Sequence, residues 1–202
     1  MKNILKILIL LTTLGCSAQN PIKDLFSIGY NNIPGAYYKD IYNVLGNFEG
    51  TYVYTNGATF LKIVLEKKLM YHNDGYFRDI LIGEYQYIEN GVQKVNTLSN
   101  LGVTYVYMEQ HYISGDLIIK KNSRPFCPDC SDLEMRVRLG FRDPNNNCPA
   151  TILIRKVLVG TQEALEIKLR DEERYVYYTT GTTPPPVEMP TVPVGEYILL
   201  KQ

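Results

Sequence analysis

From residue 51 to residue 201 the chain alternates apolar and polar residues with a period of two, broken at turn dipeptides. Side chains at that period point to opposite faces of a strand, so the pattern argues for paired ribbons and against packed helices. Asn56-Gly57 sits between residues 51–55 and 58–65, and Asn90-Gly91 sits between 79–89 and 92–98. Asn-Gly between alternating runs is the strongest short hairpin signal. In the second ribbon Leu61, Ile63 and Leu65 alternate with Lys62, Val64 and Glu66. Further strands are expected at 103–108, 112–120, 134–141, 151–159, 164–169, 175–180 and 195–201, with a bend at Gly115-Asp116 and a turn at 143–147. Residues 182–194 carry Pro184, Pro185, Pro186, Pro190 and Pro193, and form an extended loop.

About ten strands joined by short turns make an antiparallel meander. A meander this long must manage its edges, and closure does so best. The expectation is an all-β domain over 47–202, a lipocalin-like or half-open barrel. An outer-membrane barrel would show an apolar lipid face and an aromatic last residue, whereas this chain ends Leu199-Leu200-Lys201-Gln202. Before it, residues 20–46 form a leader. Tyr38, Ile41, Tyr42 and Leu45 stand at helical spacing with Gly46 after them, which predicts a short helix.

The first 18 residues have the layout of an export signal: Lys2 and Lys6, an apolar run to Leu14, then small residues. The run is far below the ~20 residues needed to span a bilayer. Two readings of its end stand side by side. Leu14-Gly15-Cys16 fits a lipobox with Cys16 lipidated, and Cys16-Ser17-Ala18 fits cleavage after Ala18. Either way the domain is expected outside the cytoplasm, as an outer-envelope lipoprotein or a secreted protein. It would touch membrane only through an anchor at Cys16. The 21 basic and 21 acidic residues balance, and loss of Lys2 and Lys6 leaves 19 against 21. That near-neutrality carries no electrostatic footprint for nucleic acid.

Several stretches resemble a family of uncharacterised exported flavobacterial proteins with a domain of unknown function. They are Cys16-Ser-Ala-Gln19, Asn47-Phe-Glu-Gly50-Thr-Tyr52 and, most closely, residues 79–98 with Ile82-Gly-Glu-Tyr-Gln-Tyr-Ile-Glu-Asn-Gly91. The resemblance implies origin and export and no activity. Gly50-Thr-Tyr52 is also similar to the first-strand Gly-x-Trp of lipocalins, with Tyr52 in place of Trp.

Two constellations invite a functional reading. Cys127-Pro-Asp-Cys130 is a C-x-x-C, and Cys148 lies beyond it. Thioredoxin-type chemistry needs the first thiol at a helix N-terminus, which lowers its pKa. Ser131-Asp-Leu-Glu134 spells a capping box, yet Met135, Val137, Leu139 and Phe141 follow at period two, so that support is missing. A zinc site would need a fourth ligand, and His72 and His111 are distant. In an oxidising compartment the cysteines favour a disulfide. A Cys127–Cys130 bridge, a bridge to Cys148, free thiols and a metal or redox role all stay open. A Cys130–Cys148 bridge requires the chain to double back, since the strand rise would otherwise part them by roughly 40 Å.

The second constellation is Tyr-x-Tyr, which occurs as Tyr52/Tyr54, Tyr85/Tyr87, Tyr105/Tyr107 and Tyr175/Tyr177. Each pair shares one strand face, either as a binding surface or as filling of half-buried positions. Arg136 and Arg138 share a face with Glu134, and Lys168 and Arg170 share one with Glu166. These read as solvated faces with cross-strand ion pairs. No nucleophile elbow, phosphate loop or His-Glu-x-x-His occurs, and the chain has two His. The expected protein is a non-catalytic exported one, without cofactor or metal, that binds an unknown ligand or protein partner through a β surface. A thiol- or carboxylate-dependent enzyme and a structural assembly protein are the alternatives.

Overall fold

The hairpin signals act locally, and they set the frame. In the computed structural model, which describes residues 20–29, 32–146, 148–171 and 189–202, Asn90 and Gly91 take φ of 51° and 75°. Those are the two left-handed positions of a type I′ turn. They join β5 (Tyr76–Glu89) to β6 (Val92–Asn96). The first hairpin joins β3 (Gly50–Asn56) to β4 (Thr59–Asn73). Asn56 pairs with Thr59, so its loop is Gly57-Ala58, one residue later than expected. β4 runs on well past residue 65 and turns at Asp74-Gly75 into β5, a third hairpin the sequence reading did not single out.

Four long strands follow β6: β7 (Ile113–Lys120), β8 (Met135–Arg142), β9 (Pro149–Val159) and β10 (Gln162–Asp171). β11 (Gly195–Lys201) lies where it was expected. The order β5-β4-β3-β11-β10-β9-β8-β7 closes because β7 also pairs with β5. The domain is therefore a closed antiparallel barrel of eight strands, with β6 and two N-terminal strands added outside the ring. Closure decides between the two barrel forms the sequence allowed. It also leaves β11 hydrogen-bonded on both sides, to β10 and β3. The last strand is not an open edge of the kind an assembly protein would use.

β5 is the shared stave. One edge pairs with β4. The other meets three strands in turn: β2 (Tyr37–Lys39) at Phe77 and Arg78, β7 at Leu81 to Gly83, and β6 from Gln86 to Glu89. β1 (Ile22–Asp24) runs parallel beside β2. Closure at β7 needs Gly83, because a Cβ there would stand 2.6 Å from Leu65 Cδ2 and 2.9 Å from the Val64 carbonyl oxygen.

The interior is apolar and filled. Leu61, Ile63 and Leu65 of β4 meet Val137, Leu139 and Phe141 of β8, Ile152 and Ile154 of β9, and Leu165, Ile167 and Leu169 of β10. Burying a Leu or Ile side chain stabilises by about 1.5–3 kcal/mol, so this face drives the fold. Leu25, Ala36, Tyr38, Val44, Leu45 and Phe48 from the N-terminal segment join the same core.

Two expectations fail. Residues 38–45 are not a helix: β2 and turns occupy them, and a 3-10 turn follows at Gly46–Phe48. Asn43 sits at φ 53°, a left-handed conformation that a right-handed helix excludes. Asp40 accepts the Val44 and Leu45 amides at 2.8 Å each, so a carboxylate takes bonds a helix would have made. Residues 103–108 are not a strand either. They lie in an excursion between β6 and β7 that carries 3-10 turns at Leu98–Asn100 and Met108–Gln110. This excursion covers the outer side of β5, where Ile80 and Ile82 pack with Met108, Tyr71 and Leu101. The strand expected at 175–180, the export signal with Cys16, and most of the proline-rich loop fall outside the described residues.

Candidate functional site

The outer faces of β8 to β11 are built by the residues that alternate with the core set. Arg138 pairs across to Leu153, Leu153 to Lys168, and Lys168 to Glu196. One step along, Arg155 pairs with Glu166. The connection 121–134 folds back over this face, so Arg136 and Leu153 are buried although they point away from the barrel axis. Between that connection and the sheet runs a groove with a cavity of about 210 Å³. Pro125, Phe126, Cys127, Pro128 and Asp129 form one wall, and Arg136, Leu153, Arg155, Glu166, Lys168, Arg170 and Glu196 form the other. The same groove continues past Arg138, Thr151 and Asp171.

The charges in this groove are unevenly satisfied. Arg155 Nε donates to Glu166 Oε2 at 3.1 Å, and Lys168 reaches Glu196 at 2.8 Å and Glu166 at 3.5 Å. Lys168 is consequently held more basic than usual, the Glu196 hydrogen bond being the main cause. Arg136 differs. Its Nη2 donates to the Lys120 and Ser123 carbonyls at 3.0 and 3.4 Å, while its buried Nε has no partner among the described residues. Burial pulls its pKa down, and the Glu134 charge opposes that. Ser131 N donates to Glu134 Oε2 at 3.1 Å, one half of the capping box, and strand β8 follows it, not a helix.

Cys127 and Cys130 form a disulfide, with Cα atoms 5.3 Å apart. Cys148 is buried at the far end of β8, with its Sγ 3.4 Å from Asp171 Oδ1. The Arg155 guanidinium lies against the bridge, Nη1 standing 3.2 Å from Cys127 Sγ and 3.5 Å from Cys130 Sγ.

The tyrosines do not share one surface. Tyr52, Tyr85 and Tyr87 are buried inside the barrel, and Tyr54 is half-buried beside Tyr197. Tyr105 stands edge-on to His111 at 4.8 Å, and Tyr107 is exposed, both in the excursion outside the barrel. Tyr175 and Tyr177 lie outside the described residues. Sequence reasoning missed a buried pair on the outer side of β5: His111 Nδ1 stands 2.9 Å from Glu84 Oε1, and Glu84 Oε2 has no partner among the described residues. It ties the excursion to the barrel wall. Glu84 alternates correctly with Ile80 and Ile82, but nothing local in the sequence shows that a loop covers that face. Nor does the sequence show that the Arg-Arg run of β8 and the Lys-Arg run of β10 flank β9 and the disulfide.

These features define a lipocalin-like closed β-barrel with a filled interior and a charged groove on its outer wall. Residues 1–202 match the family described as "Family of unknown function (DUF6705)", and the chain belongs to it. No curated protein and no solved structure matches the chain.

Proposed function

We propose that this is an exported, non-catalytic binding protein that takes an anionic ligand with an apolar part in the groove under the 121–134 connection. Export would follow from the first 18 residues, with the domain tethered at Cys16 or released. The observation that carries the reading is Arg136: a desolvated guanidinium, 2 % exposed, with a donor unused. A buried donor left without an acceptor is costly, and an oxyanion offered to it and to its neighbours repays that cost. Arg170 adds an exposed guanidinium at the mouth. Phe126, Pro125 and Pro128 add an apolar rim. Among the described residues the groove carboxylates Glu166 and Glu196 are engaged by Arg155 and Lys168, which supports a charge-paired binding surface. The apolar interior and charged outer wall are the reverse of the polarity of a barrel set in lipid.

Titration of isotope-labelled protein with citrate and with inorganic phosphate tests this. Saturable amide shifts confined to residues 125–136, 153–155 and 166–170 are expected. Arg170→Glu should weaken binding by about tenfold, the size of one charge-assisted hydrogen bond. Shifts scattered over the surface, or equal shifts from chloride, would sink the reading.

A further inference from the structure

The disulfide in the wall of this groove has a property that binding does not need. We infer that Cys127–Cys130 is an exchangeable bridge, in which Cys127 accepts an incoming thiolate and Arg155 stabilises the thiolates released.

Four observations carry this. The two sulfurs differ in access: Cys127 is half-buried and lines the groove, whereas Cys130 is 2 % exposed. An external thiol can reach only the first. The Arg155 Nη1 stands 3.2 and 3.5 Å from the two sulfurs, within reach of a negative charge on either. A neighbouring guanidinium lowers a thiol pKa as a helix N-terminus does, so it supplies what the strand after Cys130 lacks. Glu166 accepts from Arg155 Nε at 3.1 Å and fixes the guanidinium in place, so Glu166 is a positioning residue. Finally, the bridge spans a sequence separation of 3. A loop that short restrains the unfolded chain far less than a bridge between strands would, so the fold gains least from this kind.

The co-reactant is a dithiol, of a protein or a small molecule. Its first thiolate attacks Cys127 Sγ. A mixed disulfide forms as the Cys127–Cys130 bond breaks, and Cys130 leaves as a thiolate beside Arg155. The second thiolate of the co-reactant then attacks its own sulfur in the mixed disulfide, and Cys127 leaves as a thiolate. The co-reactant ends as a disulfide. The chain has gained two electrons, and two protons once both thiolates are protonated. A monothiol such as glutathione can complete the first step, which makes it a usable probe.

The test equilibrates the full chain in glutathione redox buffers at pH 7, quenches with acid, alkylates and weighs the product. The pair is expected to open in buffers that leave strand-bridging disulfides closed. A Cys130→Ser variant is expected to carry glutathione on Cys127. Arg155→Ala, with an unchanged circular dichroism spectrum, should lower the equilibrium constant for reduction about tenfold, as loss of one charge-assisted hydrogen bond does. If Arg155→Ala does not fold, Glu166→Gln serves: the amide oxygen can still accept from Arg155 Nε and hold the guanidinium, while loss of the negative charge should shift the constant toward the reduced form. A pair that stays oxidised throughout overturns the inference, as does glutathione on Cys148 alone. So does a constant that neither the Arg155 nor the Glu166 variant moves. The inference does not rest on anion binding, so a failed citrate titration leaves it standing.

Discussion

Asp40, Lys67 and Asp79 show how single side chains fasten the N-terminal segment to the barrel. Lys67 Nζ lies 2.8 Å from Asp40 Oδ2 and 3.9 Å from Asp79 Oδ2, with all three side chains at most 9 % exposed. Asp79 also accepts the Tyr37 hydroxyl at 2.5 Å and the Asp40 and Met70 amides at 3.0 and 3.2 Å. Asp40→Ala would leave the Val44 and Leu45 amides without an acceptor and Lys67 with only Asn43 Oδ1 at 3.0 Å and the more distant Asp79, a loss of about 3 kcal/mol, the low end for a broken buried pair. Urea unfolding should show that loss, and a loss under about 1 kcal/mol would mean the cluster is solvated. The interior tyrosines make a second prediction. Burial raises the phenol pKa of Tyr52 and of Tyr87 to about 12, with Glu163 and Glu89 respectively adding to it. Tyr85 is raised further, again mainly by burial. In the unfolded chain these phenols ionise near pH 10. A raised folded value means their stabilisation is complete below pH 10 and is lost as pH climbs through the folded values. Phenolate absorbance at 295 nm should therefore rise in two stages, exposed Tyr first and the buried set together with unfolding. Tyr85→Phe should shift the unfolding midpoint to higher pH, and an unmoved midpoint would assign the alkaline transition elsewhere.

At the scale of the element, β5 decides the most. It pairs with four strands, and its two faces are both buried, by the core within and by the 97–112 excursion outside. Gly83 sits where β5, β4 and β7 crowd together. Gly83→Ala should cost about 1–3 kcal/mol by overpacking, because the Val64 carbonyl cannot move aside as a side-chain tip can. Thermal unfolding checks it, and a neutral result would mean the β5–β7 seam is slack. β4, β8 and β10 were legible in the sequence by their alternation, since one buried face writes a period of two, and β9 and β11 as short apolar runs bounded by turn residues. β1 and β2 were not, because three residues carry no period. The helix expected at 38–45 had the right spacing, and the left-handed turn at Asn43 overrode it.

At the scale of the whole molecule, closure joins distant parts of the chain: Leu200 pairs with Val53, and the β5–β7 seam completes the ring. Removing residues 195–202 deletes a stave between β3 and β10, takes the buried Leu199 out of the core and exposes the apolar residues packed around it. The truncated chain should lose its near-ultraviolet tyrosine signal and bind a hydrophobic dye, and retention of the native signal would mean that β11 is dispensable to the barrel. The sequence by itself determined the all-β class, most strand positions, the hairpin at Asn90-Gly91, the first hairpin to within one residue and the presence of a C-x-x-C, because each is written in residues close along the chain. Only the tertiary structure decided closure, which way the tyrosines face, which cysteines bridge, and that Arg136, Arg155 and Lys168 share a groove with that bridge. Those depend on cross-strand register and on which face a long connection covers, and neither leaves a period or a spacing in the sequence.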